Sequence, residues 1–522
     1  MKRIFRYILI VTLLSGFTAC EDFLEEVPVD NIYSDYIYSS VEGLEVGVNA
    51  LYNRMRVYNF PAFEGAALQS NAFFYVAHDL GLVRTWHRPY GEGHTPGGFT
   101  DTKWVTAYNI IDKANAIISN SRNLEADPAG NLNKQVAQAR LIRGELYFDL
   151  IRMYGRILLD TIATTPENAF DSVAYVPADP NAVFDLINSD FDFAIENLSY
   201  NEGHGRYGQG AARHLRGKSA MWQSDWTEAA AQFDAIINDG THRLVGLNTV
   251  FGQDLTHAEG LYVYTRDELL GSANGGDALA GGGGTWIGSL FTNRAYEISD
   301  EIINDVELGG QALGWSFPND YLQSLYDQDN DLRYTTYYYP TTLYVNNPEL
   351  PNFGEEISAY PDNYRQYHFS LKKFYDEEKG AFTNDSWKDI IYYRFAETLL
   401  LGAEAHWRMD GENSSSPLAL DYINRIRRRA FGVDNATYDI TEFTLDTYLE
   451  ESARELAFEK NRWFLLKRIG LLVERQNLYY QYGSSDANVV LEPMAPHMVN
   501  MPIPQSQINL MGEGFPQNDG YF

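Results

Sequence analysis

Apolar residues recur at helical spacing through two long parts of this chain. In 41–55, Leu44, Val48, Leu51, Tyr52 and Met55 share one face, the signature of an amphipathic helix packed on one side. The same period predicts helices over 102–120, 134–154, 180–198, 213–226 and 227–239, the last ended by Gly240. After residue 385 it returns. In 387–407, Ile391, Phe395, Leu399, Ala403 and Trp407 lie four apart, which predicts one helix throughout. Pro417 opens the next, 417–430, with Leu420, Ile423 and Ile426 on one face. A third, charged pattern runs over 447–470. The short polar connections force antiparallel hairpins. The predicted fold is mostly α, built from tetratricopeptide-like hairpins so degenerate that no 34-residue period survives.

Two stretches break the pattern. Over 69–100, aromatic and polar residues mix without period: Asn71, Tyr75, Trp86, His87, Arg88, Tyr90 and His94. A long loop with its own display is expected there. From 244 to 385 the chain is rich in Gly and Tyr, including Trp286, Trp315, Tyr337 to Tyr339, Tyr344, Tyr364 and Tyr367. This predicts an irregular insertion between helical parts of about 40–240 and 386–470, followed by an extended tail over 471–522.

The start of the chain is of another kind. Lys2, Arg3 and Arg6 precede an apolar run over 7–14, and a small residue, Ala19, precedes Cys20. We read 1–19 as a secretory signal peptide and 20–522 as one domain. Cys20 is the only cysteine, so no disulfide can form within the chain; its placement resembles a lipobox, in which the Cys is acylated and anchors the protein to a membrane surface. With 71 acidic residues against 40 basic and a formal charge of −31, the chain lacks the clustered cations that nucleic acid or anionic lipid would require.

Candidate chemistry is sparse. Glu397, Glu404, Arg427, Arg454, Glu455, Glu459 and Arg462 lie in or near apolar helix faces. Their balanced signs favour an ion-pair lattice between stacked helices over a catalytic carboxylate pair. Asp327 to Asp331 resembles the first half of a calcium loop, but Leu332 stands where Gly is needed and Tyr338 where Glu is needed. A turn cap involving Arg333 is expected instead. Gly281 to Gly284 is followed by no Lys-Ser or Lys-Thr, and no zinc, nucleotide or acyl-transfer motif appears. No cofactor or metal is expected.

Three motifs carry a family resemblance: Trp387-x-Asp-Ile-x-x-Tyr-Arg-x-Ala-Glu-x-Leu-Leu, Ala419-Leu-x-x-Ile-Asn-x-Ile-Arg, and Arg454-Glu-Leu-Ala-Phe-Glu-x-x-Arg-Trp. With the closing Gln517-Asn-Asp-Gly-Tyr, they closely resemble the SusD/RagB family of outer-membrane glycan-capture lipoproteins. Leu465 departs from the Asp usual in that family. The resemblance implies a non-catalytic, lipid-anchored protein on the outer face of the outer membrane, binding oligo- or polysaccharide and partnered with a SusC-like TonB-dependent transporter. Sugar rings stack on Trp and Tyr while their hydroxyls bond polar side chains. We therefore expect Trp86, Tyr90, Trp286 and Tyr75 to stack on a glycan, with Asn71, His87 and Arg88 supplying hydrogen bonds. A helical-repeat scaffold, a peptide-uptake protein and a carbohydrate-active enzyme stay open as alternatives.

Overall fold

The computed structural model describes residues 38–60, 73–84, 90, 94–97, 99–125, 127–266, 284–357, 363–482 and 493–521. The first helical part contains α1 (Val41–Asn59), α2 (Phe99–Asn120), α3 (Asn131–Tyr154), α4 (Pro180–Asn197), α5 (Gln209–Trp222) and α6 (Trp226–Asp239). Local chemistry sets several starts. Ser40 accepts a hydrogen bond from the Gly43 amide at 3.1 Å, Asp179 caps α4 with Pro180 at its first position, and Asp225 caps α6, each satisfying an amide that the helix cannot.

From α2 onward each helix packs on the next, α2 on α3 through to α5 on α6. After more than a hundred residues of insertion, α7 (Phe395–Met409) packs directly on α6, and α8 (Pro417–Ala430) on α7. The helix stack resumes as though uninterrupted. Three hairpins share one packing device, a glycine on the first helix that receives an aromatic ring from the second. A Cβ at Gly144 of α3 would stand 2.8 Å from Phe191 of α4, one at Gly217 of α5 would stand 2.7 Å from Phe233 of α6, and one at Gly402 of α7 would stand 3.2 Å from Tyr422 of α8. The bare Cα lets the ring sit against the helix backbone. This repeat is spatial; the separations along the chain differ, so no sequence period reveals it.

The predicted helix over 387–407 is shorter than its pattern. Ile390–Arg394 forms a strand paired antiparallel with Gly260–Tyr264, and Phe395 opens the helix. The run Ile-Ile-Tyr-Tyr suits a strand as well as a helix face, and the partner strand decides. The third pattern is also broken. It forms α9 (Leu445–Leu456) and α10 (Arg462–Arg468), with Phe458 and Lys460 between them at φ of 59° and 70°. Carbonyls at the end of α9 turn to cations: Lys373 Nζ donates to the oxygens of Glu455 at 2.8 Å and Ala457 at 3.1 Å, and Arg394 to that of Glu455 at 2.8 Å. The helix ends because side chains take its carbonyls.

The insertion contains short strands and one-turn helices, as its irregular composition predicts. A three-stranded sheet places Gly81–Val83 between Ser316–Pro318, antiparallel, and Gln481–Tyr482, parallel, with Leu82 opposite Phe317 and Gln481. The tail returns to the first helical part, where Asn518 donates to the carbonyls of Tyr154 and Met501 at 2.7 and 2.8 Å. Among the described residues no helix is long and apolar enough to cross a membrane.

Candidate functional site

Each of the seven charged residues in the helix faces has an oppositely charged partner. Glu455 accepts from Arg394 at 2.7 Å, from Arg333 at 3.0 Å and from Arg429. Glu459 pairs with Lys373 and Arg394, both at 2.6 Å. Arg427 and Arg454 meet Glu451, each at 2.8 Å, Arg462 meets Asp79, Glu397 meets Lys218 and His214, and Glu404 meets Arg468. Burial alone would raise the Glu455 pKa, but Arg429, Arg394 and Arg333 hold it well below the carboxylate range. Glu397 is likewise driven down, its burial outweighed by Lys218 and His214. Carboxylates held ionised in this way are fixed charges that tie helices together.

One carboxyl behaves differently. Burial first, then the nearby charge of Asp149, raises Glu145 to about 7. Its oxygens accept from the hydroxyls of Tyr393, at 2.6 Å, and Tyr207, inside a tyrosine cluster in which Tyr207 and Tyr262 stack with centroids 3.8 Å apart. Asp327 and Asp331 close a turn: the first accepts from the amides of Asp329 and Asn330, and the second pairs with Arg333 at 2.7 Å. Among the described residues no group of three or more His, Cys, Asp or Glu side chains could hold a metal ion.

Of the aromatic residues expected on a glycan surface, Trp286 is half-buried. Thr285 pairs with Ser386 through a β-bridge, which brings Trp286 beside Asp385. The indole N–H donates to Asp385 Oδ1 at 2.8 Å, and Asp385 is itself steadied by the Thr383 hydroxyl at 3.1 Å from Oδ2. An indole held by its N–H keeps its ring orientation, which a stacking platform needs.

Tyr75 and Tyr90 are corrections. Tyr75 is 3% exposed, packs on Phe291 and Phe374 with centroids 6.0 and 6.5 Å apart, and walls a cavity of about 30 Å³ with Thr285 and Gly288. That space suits one water, not a sugar ring. Tyr90 is 2% exposed; its hydroxyl donates to the Ala77 carbonyl and accepts from the Trp463 indole, both at 3.0 Å. Each ring fills the core, where burying its area outweighs display. Asn71, Trp86, His87, Arg88 and Cys20 lie outside the described residues.

Three exposed aromatics of the insertion were not among the residues expected to stack on a glycan. Phe382 is 80% exposed, three residues from Asp385. Tyr344 and Phe353, 56% and 57% exposed, belong to a hairpin closed by Val345 donating to the Glu355 carbonyl at 2.9 Å and Ile357 donating to that of Leu343 at 3.0 Å. Nothing in the local pattern separates them from the many tyrosines and phenylalanines that are buried.

Comparison with known proteins joins these observations. Residues 328–521 match the family model described as the SusD family. Over its full length the chain is similar to SusD-like protein P25 of Formosa agariphila, 22% identical over 98% of this chain and 99% of that protein. Among solved structures, a laminarin binding SusD-like protein superposes with a TM-score of 0.70 at 21% identity, over 92% of this chain and 99% of that one. Surface glycan-binding protein A of Bacteroides thetaiotaomicron superposes with a TM-score of 0.71 at 18% identity, over 92% of this chain and all of the other. The fold over nearly the whole chain is thus that of those structures, and residues 328–521 carry the sequence match to the SusD family.

Proposed function

We propose that this protein is a non-catalytic glycan-binding lipoprotein of the outer-membrane surface, which captures oligo- or polysaccharide and delivers it to a SusC-like TonB-dependent transporter. The observation that carries this reading is the likeness, over nearly the whole chain, to proteins whose names record laminarin and surface-glycan binding. The surface around Trp286 gives it a local basis: an indole fixed by Asp385, with exposed Phe382 nearby in the chain. Trp86, Asn71, His87 and Arg88 would complete this surface, and acylation at Cys20 would hold it at the membrane. The helical-repeat part would face the transporter.

Native gels cast with plant, host and microbial polysaccharides test the reading. The chain beginning after Cys20 should be retarded by one class of polymer, with no new reducing ends released. Trp286→Ala should weaken that retention about tenfold, ~1.4 kcal/mol. Retention unchanged in Trp286→Ala and in Trp86→Ala would overturn the assigned surface, and release of reducing ends would replace binding with catalysis.

A further inference from the structure

The polar side of α1 carries three guanidinium groups from separate parts of the chain. Arg206 bonds Asn49 and lies over the Tyr52 ring at 4.7 Å. Arg56 donates to Asn53 Oδ1 at 2.7 Å, and Arg266 donates to the carbonyl of Phe60, where α1 ends, at 2.8 Å. Positions 49, 53, 56 and 60 follow helical spacing, so the three groups line one stripe of α1, about 16 Å long at 1.5 Å per residue. No basic run in the sequence announces it, because Arg206 and Arg266 stand 157 and 206 residues from their partners on α1.

The stripe is not neutralised from within. Neutral oxygens hold all three groups, and among the described residues none of the three pairs with a carboxylate. Asp389 stands beside Arg266, but its oxygens are taken, Oδ1 by the Arg266 amide and Oδ2 by His204, both at 2.7 Å. Arg56 Nε and Arg266 Nε are buried without a hydrogen-bond partner. Burial, and after it the like charge of Arg56, lowers the Arg266 pKa to about 9. Cations placed in this way await an acceptor from outside the chain. The acceptor that fits a guanidinium is an oxyanion, a carboxylate or sulfate taking two parallel N–H bonds. The stripe also adjoins the Trp286 surface. Asp389 is four residues from Asp385, which holds the indole, so the two lie at most about 14 Å apart, and Asp389 and Thr285 wall the same cavity beside Tyr75.

We propose that Arg56, Arg206 and Arg266 form an oxyanion-binding site for the carboxylate or sulfate groups of an acidic polysaccharide that also contacts Trp286. The inference rests on the glycan-binding reading and names the class of polymer. One small anion would engage one guanidinium; a stripe of this length suits acidic groups repeated along a chain. A protein of formal charge −31 repels polyanions in general, so holding one requires such a local site.

Native gels cast with polygalacturonate, which offers carboxylates, carrageenan, which offers sulfates, and neutral laminarin and starch provide the test. The chain beginning after Cys20 should be retarded by polygalacturonate or by carrageenan, which tells the two anions apart, and released at about 0.5 M salt. Arg206→Gln and Arg56→Gln should each weaken that retention at least tenfold, with melting temperatures at the parent level showing that the fold is intact. Arg122→Gln, which removes the same charge from an exposed position off the stripe, should behave as the parent. Retention by a neutral polymer and by neither acidic one would overturn the site and leave the glycan-binding reading standing. Equal retention of parent and both stripe variants, or binding to anionic phospholipid vesicles in place of the acidic polymers, would overturn it as well. Retention by no polymer would overturn both readings.

Discussion

Arg462 grips Asp79 in a two-pronged pair, Nε to Oδ1 at 2.9 Å and Nη2 to Oδ2 at 2.7 Å, across 383 residues of chain. Arg475 adds a third bond, to Oδ2, at 2.6 Å. Burial would raise the Asp79 pKa, but Arg462 and Arg475 lower it to about 2. This one carboxylate pins α10 to the segment leading into the central sheet.

Removing it strands buried guanidinium charge. Asp79→Asn should cost about 3–5 kcal/mol, the usual penalty for breaking a buried pair from one side. Denaturant unfolding measures it; a loss under about 1 kcal/mol would mean that water compensates Arg462 as well as Asp79 does.

The glycine-to-ring device makes a prediction against helix propensity. Alanine is the better helix former by about 1 kcal/mol, so Gly217→Ala would stabilise α5 if α5 stood alone. With Phe233 in the way, it should instead destabilise the protein by about 1–3 kcal/mol through overpacking. Thermal melting gives the sign.

Glu145 predicts a pH dependence. Burial, with Asp149 next, raises its pKa from 4.5 to about 7, against the opposing effects of Tyr207, Tyr393 and Lys460. The folded state therefore keeps a proton that the unfolded state releases. The associated stability is complete below about pH 4.5 and is lost as pH rises through about 7, a change on the order of 3 kcal/mol. Relative to Glu145→Gln, the parent should lose stability across that window. Parallel stability curves for the two proteins would show that Glu145 ionises normally.

Tyr90 separates packing from binding. Tyr90→Phe leaves the Trp463 indole N–H and the Ala77 carbonyl without their shared partner, and should cost about 1–3 kcal/mol. Polysaccharide retention should stay at the parent level. A binding loss with unchanged stability would return Tyr90 to the glycan surface.

One-sided burial leaves its period in each segment, so the helices are legible from the residues: α8 from Pro417 to Ala430, and α3 to its last residue, Tyr154, though begun three residues late. The sequence by itself also determined the lattice, since balanced charges on apolar faces have few stable arrangements other than pairing. The tertiary structure alone decided which rings are hidden. Nothing in the local sequence separates Tyr75, Tyr90 and Trp286, and only distant partners, Phe291, Trp463 and Asp385, divide the two buried rings from the half-buried one. It alone decided that Ile390–Arg394 is a strand and that α9 stops before Ala457, because Tyr262, Lys373 and Arg394 supply competing hydrogen bonds or packing from elsewhere in the chain. Periodicity records what a segment buries; it carries no record of what it is buried against.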